Sequence, residues 1–365
     1  MRRGLQTACV AWLLTRLLLV VIGLPAAEGQ MSRFGLPPPP EHFTTPRSPW
    51  LAMWARWDAA WYLDIASRGY TAPLPVGTAD VRANFFPALP LSIRVLTRTA
   101  ISPAAAGVLL SNAGFVFALA ALYEGVRRRY SDAVASRLVW LYAVFPTSFF
   151  LSAVYAESLL LAALALGWWA RTTERWHVAG LTLGAAALTR PTGIIAAVVF
   201  VSAAALRGRR AWPAVAWPAC GVALYLLGAS LTFGDALATF HSQEATRAPV
   251  TWPWVALITG FREGLSWNSY DRPLLDGLLS AAAVLALPFV FTSLGWFEGC
   301  LASALVLVPL SSGLISFSRL VLPAFPLFVL AALHVRGRIA TSAAVVCFAL
   351  QALLFAWFAA GGWIA

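Results

Sequence analysis

Lysine is absent from the sequence, and all 26 basic residues are arginine. Charge of either sign is scarce: charged residues make up 11% of the 365, against about 25% in a soluble globular domain. So little charge cannot clothe a water-facing surface, which excludes the pair of soluble domains that this length would otherwise imply. With 60% hydrophobic residues and a mean hydropathy of +0.75, disorder and coiled coil are excluded as well. Cysteine is equally sparse. Cys9, Cys220, Cys300 and Cys347 lie far apart in apolar runs without CxxC or zinc spacing, which removes a disulfide scaffold and predicts buried thiols. No Gly-rich phosphate loop and no Asp-x-Asp pair occurs, so neither a nucleotide site nor a metal or other cofactor is expected. What remains is an all-α polytopic membrane protein. The missing lysine, beside abundant Ala, Leu, Val and Pro, points to a GC-rich bacterial gene and hence to the bacterial plasma membrane.

The apolar runs place the spans. A membrane helix needs about 20 apolar residues, and eleven runs qualify: 5–24, 103–126, 134–150, 153–170, 174–190, 191–206, 211–232, 273–294, 296–315, 320–335 and 338–360. The arms flanking Arg190-Pro191 are short, which leaves a re-entrant segment as the alternative there. The first run lacks a convincing cleavage site, although Leu24-Pro25-Ala26-Ala27 keeps a signal peptide open. The net charge of +11 is no nucleic-acid footprint, because the arginines cluster at the ends of apolar runs rather than along a stripe. With the N-terminus inside, thirteen arginines fall in the inner segments. Only Arg190, Arg247, Arg262, Arg272 and Arg319 fall in the outer ones beyond the first loop, which fixes the predicted orientation. Eleven of the fifteen acids lie outside, so polar work is expected on the outer face. The whole chain, 1–365, reads as one integral membrane domain.

Two outer loops are long, 25–102 and 233–272. The first begins with a polyproline spacer, Pro37 to Pro40, and continues in an aromatic, charged segment from Trp50 to Arg68. That segment and a second, Phe85 to Arg98, are predicted as helices lying at the membrane interface, where Trp and Tyr prefer to sit. The second long loop carries Trp252, Trp254, Trp267 and Tyr270, the same interfacial signature.

The densest polar motif is Arg56-Trp57-Asp58 through Tyr62 and Asp64 to Arg68-Gly69-Tyr70, followed by Asn84-Phe85-Phe86-Pro87. On a helix Asp58 shares a face with Tyr62, while Asp64 points nearly opposite and reads as a solvated partner of Arg68. Asp58 is the acid placed to face a lined cavity, and a helix-capping aspartate is the ordinary alternative. Glu157, Arg190 and Arg319 fall at the outer ends of spans, on the same side as Asp58. Each is an anchoring residue by itself, and three together favour a shared cavity. His241 and Gln243 lie in the second long loop, where they are candidates for an acceptor. Arg16 falls inside the first span and therefore needs a partner within the protein.

Arg-Trp-Asp at 56–58, Ile-Ala-Ser-Arg-Gly-Tyr at 65–70 and Asn-Phe-Phe-Pro at 84–87 resemble the first-loop signature of the PIG-V-type mannosyltransferases of the glycosyltransferase C superfamily. Tyr155-Ala156-Glu157-Ser158, Leu188-Thr189-Arg190-Pro191-Thr192-Gly193, Phe233-Gly234-Asp235 to Gln243 and Phe325-Pro326-Leu327-Phe328 follow in the family's order. At 318–320 the chain has Ser-Arg-Leu where the family pattern is Pro-Arg-Tyr. The resemblance implies a glycosyltransferase C bundle of about eleven helices. It implies a polyprenyl-phosphate sugar donor, mannose first, and transfer with inversion to a lipid, glycan or protein acceptor outside the cell. Asp58 is then the catalytic base, and Arg190 first and Arg319 second hold the donor phosphate. Glu157 orients one of them or touches the sugar, and Arg56, Trp57, Tyr62, Asn84, Phe85, Phe86 and Gln243 complete the substrate site. A transporter or lipid flippase is the alternative from another class. It predicts internal repeats and mid-membrane charges, whereas the first-loop motif has no repeat and only Arg16 lies mid-span. A structural subunit would have no use for an acid inside a Trp-rich segment.

Overall fold

Apolar runs punctuated by Pro, Gly and Ser become helices, and the computed structural model contains nothing but helices, turns and coil among the described residues, which are 2–28, 46–73, 80–246, 250–264 and 273–364. The Pro37 to Pro40 run, Arg247, Arg272, Trp267 and Tyr270 lie outside them. Among the described residues five helices are long and apolar enough to cross a membrane: Arg2–Glu28, Pro103–Arg129, Trp212–Phe233, Leu274–Leu294 and Gly337–Ala359. Their outward residues are bare hydrocarbon, with Val21, Leu231, Leu285 and Leu353 each about 70% exposed or more. Such a surface is stable against lipid and not against water.

A helix stands in each of the eleven expected places, but the other six are short. Asp132–Val144, Glu157–Thr172, Trp176–Ala186, Pro191–Arg207, Trp296–Ser311 and Phe325–His334 run 10 to 17 residues. At 1.5 Å per residue they reach roughly 15–26 Å, less than the ~30 Å hydrocarbon core. The expected count of eleven spans is therefore not met by helix length. The physical cause is local. Pro146, Pro191, Gly313, Pro323 and Pro326 fall inside or at the edge of apolar runs, and each ends a helix or starts one. The predicted 320–335 span accordingly begins only at Phe325, after a separate turn, Phe317–Leu320.

The first-loop segment departs further from expectation. Instead of one interfacial helix over 50–68, the chain makes a short turn, Pro49–Ala52, then a break, then Ala59–Arg68. Met53, Trp54, Tyr62, Leu63 and Ile65 are buried in the main core rather than lying on its surface. The second expected segment is a helix over Ala88–Thr97. Its Arg94 donates to the carbonyls of Ala66 and Ser67 at 2.8 and 3.3 Å, closing the C-terminus of the preceding helix. The four cysteines also differ from expectation. None is buried in the bundle, because their helices turn Cys9 and Cys220 outward and leave Cys300 and Cys347 partly covered.

The first helix packs on Pro103–Arg129 and on the last helix, Gly337–Ala359, while Glu157–Thr172 packs between Pro103–Arg129 and Trp176–Ala186. Where Trp176–Ala186 meets Ala216–Phe233, the backbones touch at glycines. A Cβ on Gly221 would sit 2.2 Å from the Gly184 carbonyl oxygen. This close crossing supports the turn that carries Arg190. Gly221→Ala forces two backbones apart and is expected to cost about 1–3 kcal/mol, seen as a lower thermal-unfolding midpoint in detergent. Gly228→Ala, seven residues on, meets nothing within 4 Å and is expected to leave the midpoint unchanged or raise it.

Candidate active site

The Arg56-Trp57-Asp58 motif is clamped against the end of the last helix. Arg56 donates Nε and Nη2 to the Ala359 carbonyl at 3.1 and 2.7 Å, and Trp57 donates its indole N–H to the Gly362 carbonyl at 3.0 Å. The Trp57 ring meets Trp363 edge-on at 4.9 Å, and the Tyr155 hydroxyl donates to the Arg56 carbonyl at 3.0 Å. These contacts hold Trp57 at φ 55°, a left-handed conformation that a bulky residue rarely adopts. The turn leaves Asp58 at the cap position of the Ala59–Arg68 helix, but its side chain makes no capping bond. Its Oδ2 instead accepts from Arg319 Nη1 at 2.8 Å. The capping alternative is answered by geometry.

Arg319 comes from the Phe317–Leu320 turn, whose position is fixed from three sides. The Ser318 amide donates to Asp276 Oδ1 at 2.6 Å, Thr147 Oγ1 donates to the Ser318 carbonyl at 2.6 Å, and Tyr142 donates to the Leu322 carbonyl at 2.9 Å. The Arg319 side chain is 3% exposed, with its guanidinium 5.0 Å from the Tyr155 ring centre and 5.6 Å from that of Phe150. Its Nε lies 3.3 Å from Glu157 Oε1, and the same oxygen accepts from Arg190 Nη1. Asp58, Arg319, Glu157 and Arg190 therefore form one chain of alternating charge, drawn from four separate parts of the sequence. Burial works against the Arg319 charge. The carboxylates of Asp58 and Glu157 outweigh it and hold the guanidinium above its ordinary protonation range.

Polar atoms are left over in this cluster. Glu157 Oε2, Ser158 Oγ and Ser318 Oγ are buried and have no hydrogen-bond partner among the described residues. The Asp58 side chain is 29% exposed, and its Oδ1 accepts no hydrogen bond among those residues. The cluster is thus a place where charge and unused acceptors meet a partly open aspartate.

Tyr62 lies beside the cluster. Burial, first of all, holds its hydroxyl protonated, and it lies in the electrostatic field of Arg190, Glu157, Asp58 and Arg319 together. Phe85 packs edge-on against Tyr62 at 5.0 Å and stacks on Trp61 at 6.0 Å, so it walls the same side. The rest of the first-loop motif turns away. Asn84 closes the Arg82–Asn84 turn, and Phe86 stacks flat on Tyr225 at 4.2 Å, docking the loop onto the Ala216–Phe233 helix. Gln243 is half-buried on the Ala238–Thr246 helix, and among the described residues no hydrogen bond or ion pair joins it to the cluster. His241 is exposed and pairs with Asp235 at 2.7 Å.

Asp64 does pair with Arg68, at 2.5 Å, but it is 5% exposed rather than solvated, because the helix that carries it is sunk into the core. Among the described residues Arg16 finds no carboxylate. It donates to Ser152 Oγ at 2.8 Å and to the carbonyls of Ser148 and Ala143 at 2.6 and 3.0 Å. It thereby braces the irregular stretch that leads into Tyr155 and Glu157. Among the described residues no group of three or more His, Cys, Asp or Glu side chains is placed to hold a metal.

Asp276 is the residue that the sequence did not single out. Its only signal was an acid in the first turn of an otherwise apolar helix, 5% exposed once folded. By fixing the Ser318 amide it sets where the Arg319 side chain begins.

No family model and no curated protein matches the sequence. Among solved structures the chain is similar to the oligosaccharyltransferase of Archaeoglobus fulgidus, crystallised with zinc and sulfate, with a TM-score of 0.45 and 13% identity. The match covers 95% of this chain and 53% of that one, so this chain spans about half the length of the structure it resembles. A likeness this loose carries no weight for function.

Removing the central cation should be far worse than removing the terminal one. Arg319→Met leaves the buried Glu157 and the half-buried Asp58 without their shared partner. A loss of about 3–5 kcal/mol is expected, read as early unfolding in a denaturant or thermal series. Arg190→Met leaves Glu157 still facing Arg319 and should cost clearly less.

Proposed function

We propose that the protein is an inverting glycosyltransferase of the glycosyltransferase C class. It moves a sugar, mannose by the motif resemblance, from a polyprenyl-phosphate donor to a hydroxyl of a lipid, glycan or protein acceptor on the outer face of the membrane. The observation that carries this reading is the Asp58–Arg319–Glu157–Arg190 chain. An apolar bundle has no structural need for four charges in contact, since a buried ion pair is seldom more stable than packed hydrocarbon.

The chemistry asks for one base and a cationic cradle. The acceptor oxygen attacks the anomeric carbon from the face opposite the phosphate. As the new C–O bond forms, the bond to the phosphate oxygen breaks and its electron pair leaves with the phosphate. The hydroxyl proton passes to Asp58 at Oδ1, the oxygen not held by Arg319. Taking that proton cancels the charge that Arg319 was neutralising. The guanidinium is then free to stabilise the departing phosphate just as its negative charge grows. Arg190, 17% exposed at the edge of the chain, is placed to hold the donor phosphate beforehand, and Glu157 fixes the two cations at a set separation. Glu157 Oε2 and the hydroxyls of Ser158 and Ser318 are acceptors and donors suited to a sugar.

Asp58→Asn keeps the size of the side chain and removes the base. Transfer from polyprenyl-phosphate mannose should fall about 10²–10⁴-fold while donor binding is kept. Asp64→Asn, paired with Arg68 instead, should change turnover far less. Near-normal turnover in folded Asp58→Asn protein overturns the mechanism.

The outward orientation has its own test. Thr99 and Ser131 flank the Pro103–Arg129 helix, whose 27 residues extend about 40 Å. In a background with the four native cysteines replaced, Thr99→Cys should react with an impermeant thiol reagent from outside intact cells. Ser131→Cys should react only after the membrane is opened. The reverse pattern would place Asp58 on the inner side.

A further inference from the structure

The two short helices that bear the candidate active site carry a second set of charges at their far ends. Glu157 begins the Glu157–Thr172 helix and Arg171 lies in its last turn, while Arg190 precedes Pro191–Arg207 and Arg207 ends it. At 1.5 Å per residue these pairs lie roughly 21 and 26 Å apart. Between the far ends of these helices, Pro103–Arg129 and Trp296–Ser311 lies a cavity of about 1010 Å³.

Its polar floor is cationic. Arg128, Arg129, Arg171 and Arg207 line it against two acids, Glu174 and Glu298. Glu298 already serves three donors through one oxygen: its Oε1 accepts from Arg129 at 3.0 Å, Arg171 at 2.7 Å and the Trp168 indole at 2.8 Å. Arg171, seated over the Phe297 ring at 3.9 Å, still faces the repulsion of Arg129 and Arg207, and its buried Nε has no hydrogen-bond partner among the described residues. Arg128 and Arg207 make no ion pair or hydrogen bond among those residues. Two carboxylates against four arginines leave the floor two positive charges in surplus, so the cavity calls for an anion with several acceptor oxygens.

Its walls call for hydrocarbon. Trp176, Val199 and Phe297 line the sides, and Val198, Leu206 and Trp296 continue them to the lipid-facing surface, 58%, 81% and 71% exposed. A free phosphate would use the floor and gain nothing from these walls. The geometry points to a binding site for an anionic phospholipid, with the phosphodiester headgroup on Arg128, Arg171 and Arg207 and the first methylenes of the acyl chains against Leu206 and Trp296. Basic pockets between membrane helices hold such headgroups. The site is independent of the proposed transfer reaction, although the two share helices.

Native mass spectrometry of the full chain in detergent, titrated with phosphatidylglycerol or phosphatidylcholine, tests this. Phosphatidylglycerol should bind at least about tenfold more tightly than phosphatidylcholine, two exposed arginines near the surface supplying that much preference. Arg128→Gln/Arg207→Gln should remove the preference, whereas Arg209→Gln/Arg210→Gln deletes the same charge outside the cavity and should keep it. Equal binding of the two lipids overturns the proposal, as does an equal effect of the two double variants or no effect of either. Displacement of phosphatidylglycerol by millimolar inorganic phosphate also overturns it, in favour of a free-anion site.

Discussion

The burial of Arg319 between Asp58 and Glu157 is the constraint on which the rest of this half of the molecule depends. A guanidinium at 3% exposure, inside a bundle built to sit in hydrocarbon, is tolerable only with a carboxylate on either side and aromatic faces around it. The two carboxylates and Arg319 itself come from three separate parts of the chain. Asp58 must be brought in from the first loop, which explains the clamp of Arg56 and Trp57 on the last helix and the left-handed Trp57. Glu157 must start its helix at the same level, which explains the irregular 145–156 stretch braced by Arg16 and by Gln351, whose amide donates to the Phe145 carbonyl at 2.8 Å. The turn holding Arg319 must itself be pinned, and Asp276, Thr147 and Tyr142 do this.

Short helices follow from the same requirement. A polar side chain reaches the interior most easily from the end of a helix, where the backbone also offers unpaired groups. Glu157, Arg190 and Arg319 all sit at such ends, beside the breaks that prevent their helices from spanning alone. Crossing length is given up where the buried charges are placed, and among the described residues five other helices are long and apolar enough to cross a membrane.

The sequence made legible what depends on composition and on local punctuation. Helix positions and the outward hydrocarbon followed from apolar runs, whereas of the eleven expected spans only five are helices long enough to cross among the described residues. The grouping of Asp58 with Glu157, Arg190 and Arg319 followed from placing them on one side of the membrane and from the motif resemblance. What it could not give depends on contacts distant in the chain. Asp64 pairs with Arg68 as the i,i+4 spacing required, yet nothing in that spacing tells that the whole helix is sunk in the core. Phe86 and Phe85 are neighbours in one motif and face different walls, because the chain after Asn84 docks on Tyr225. Asp276 was invisible, since its partner is a backbone amide 42 residues away.

The arrangement of charge along the two shared helices has a further consequence. In a helix the N-terminal end is partially positive and the C-terminal end partially negative. Glu157 in the first turn of its helix, and Arg171 and Arg207 in the last turns of theirs, each complement the backbone at their position. Arg190 does the opposite, standing as a cation before an N-terminus, and Glu157 is what makes that tolerable. Of the two charged ends, the Arg171–Arg207 end is favoured by the helices themselves and suits a permanent structural lipid. The Arg190 end is held against its local field by a side chain, and that is the end where an anion arriving and leaving changes the balance most.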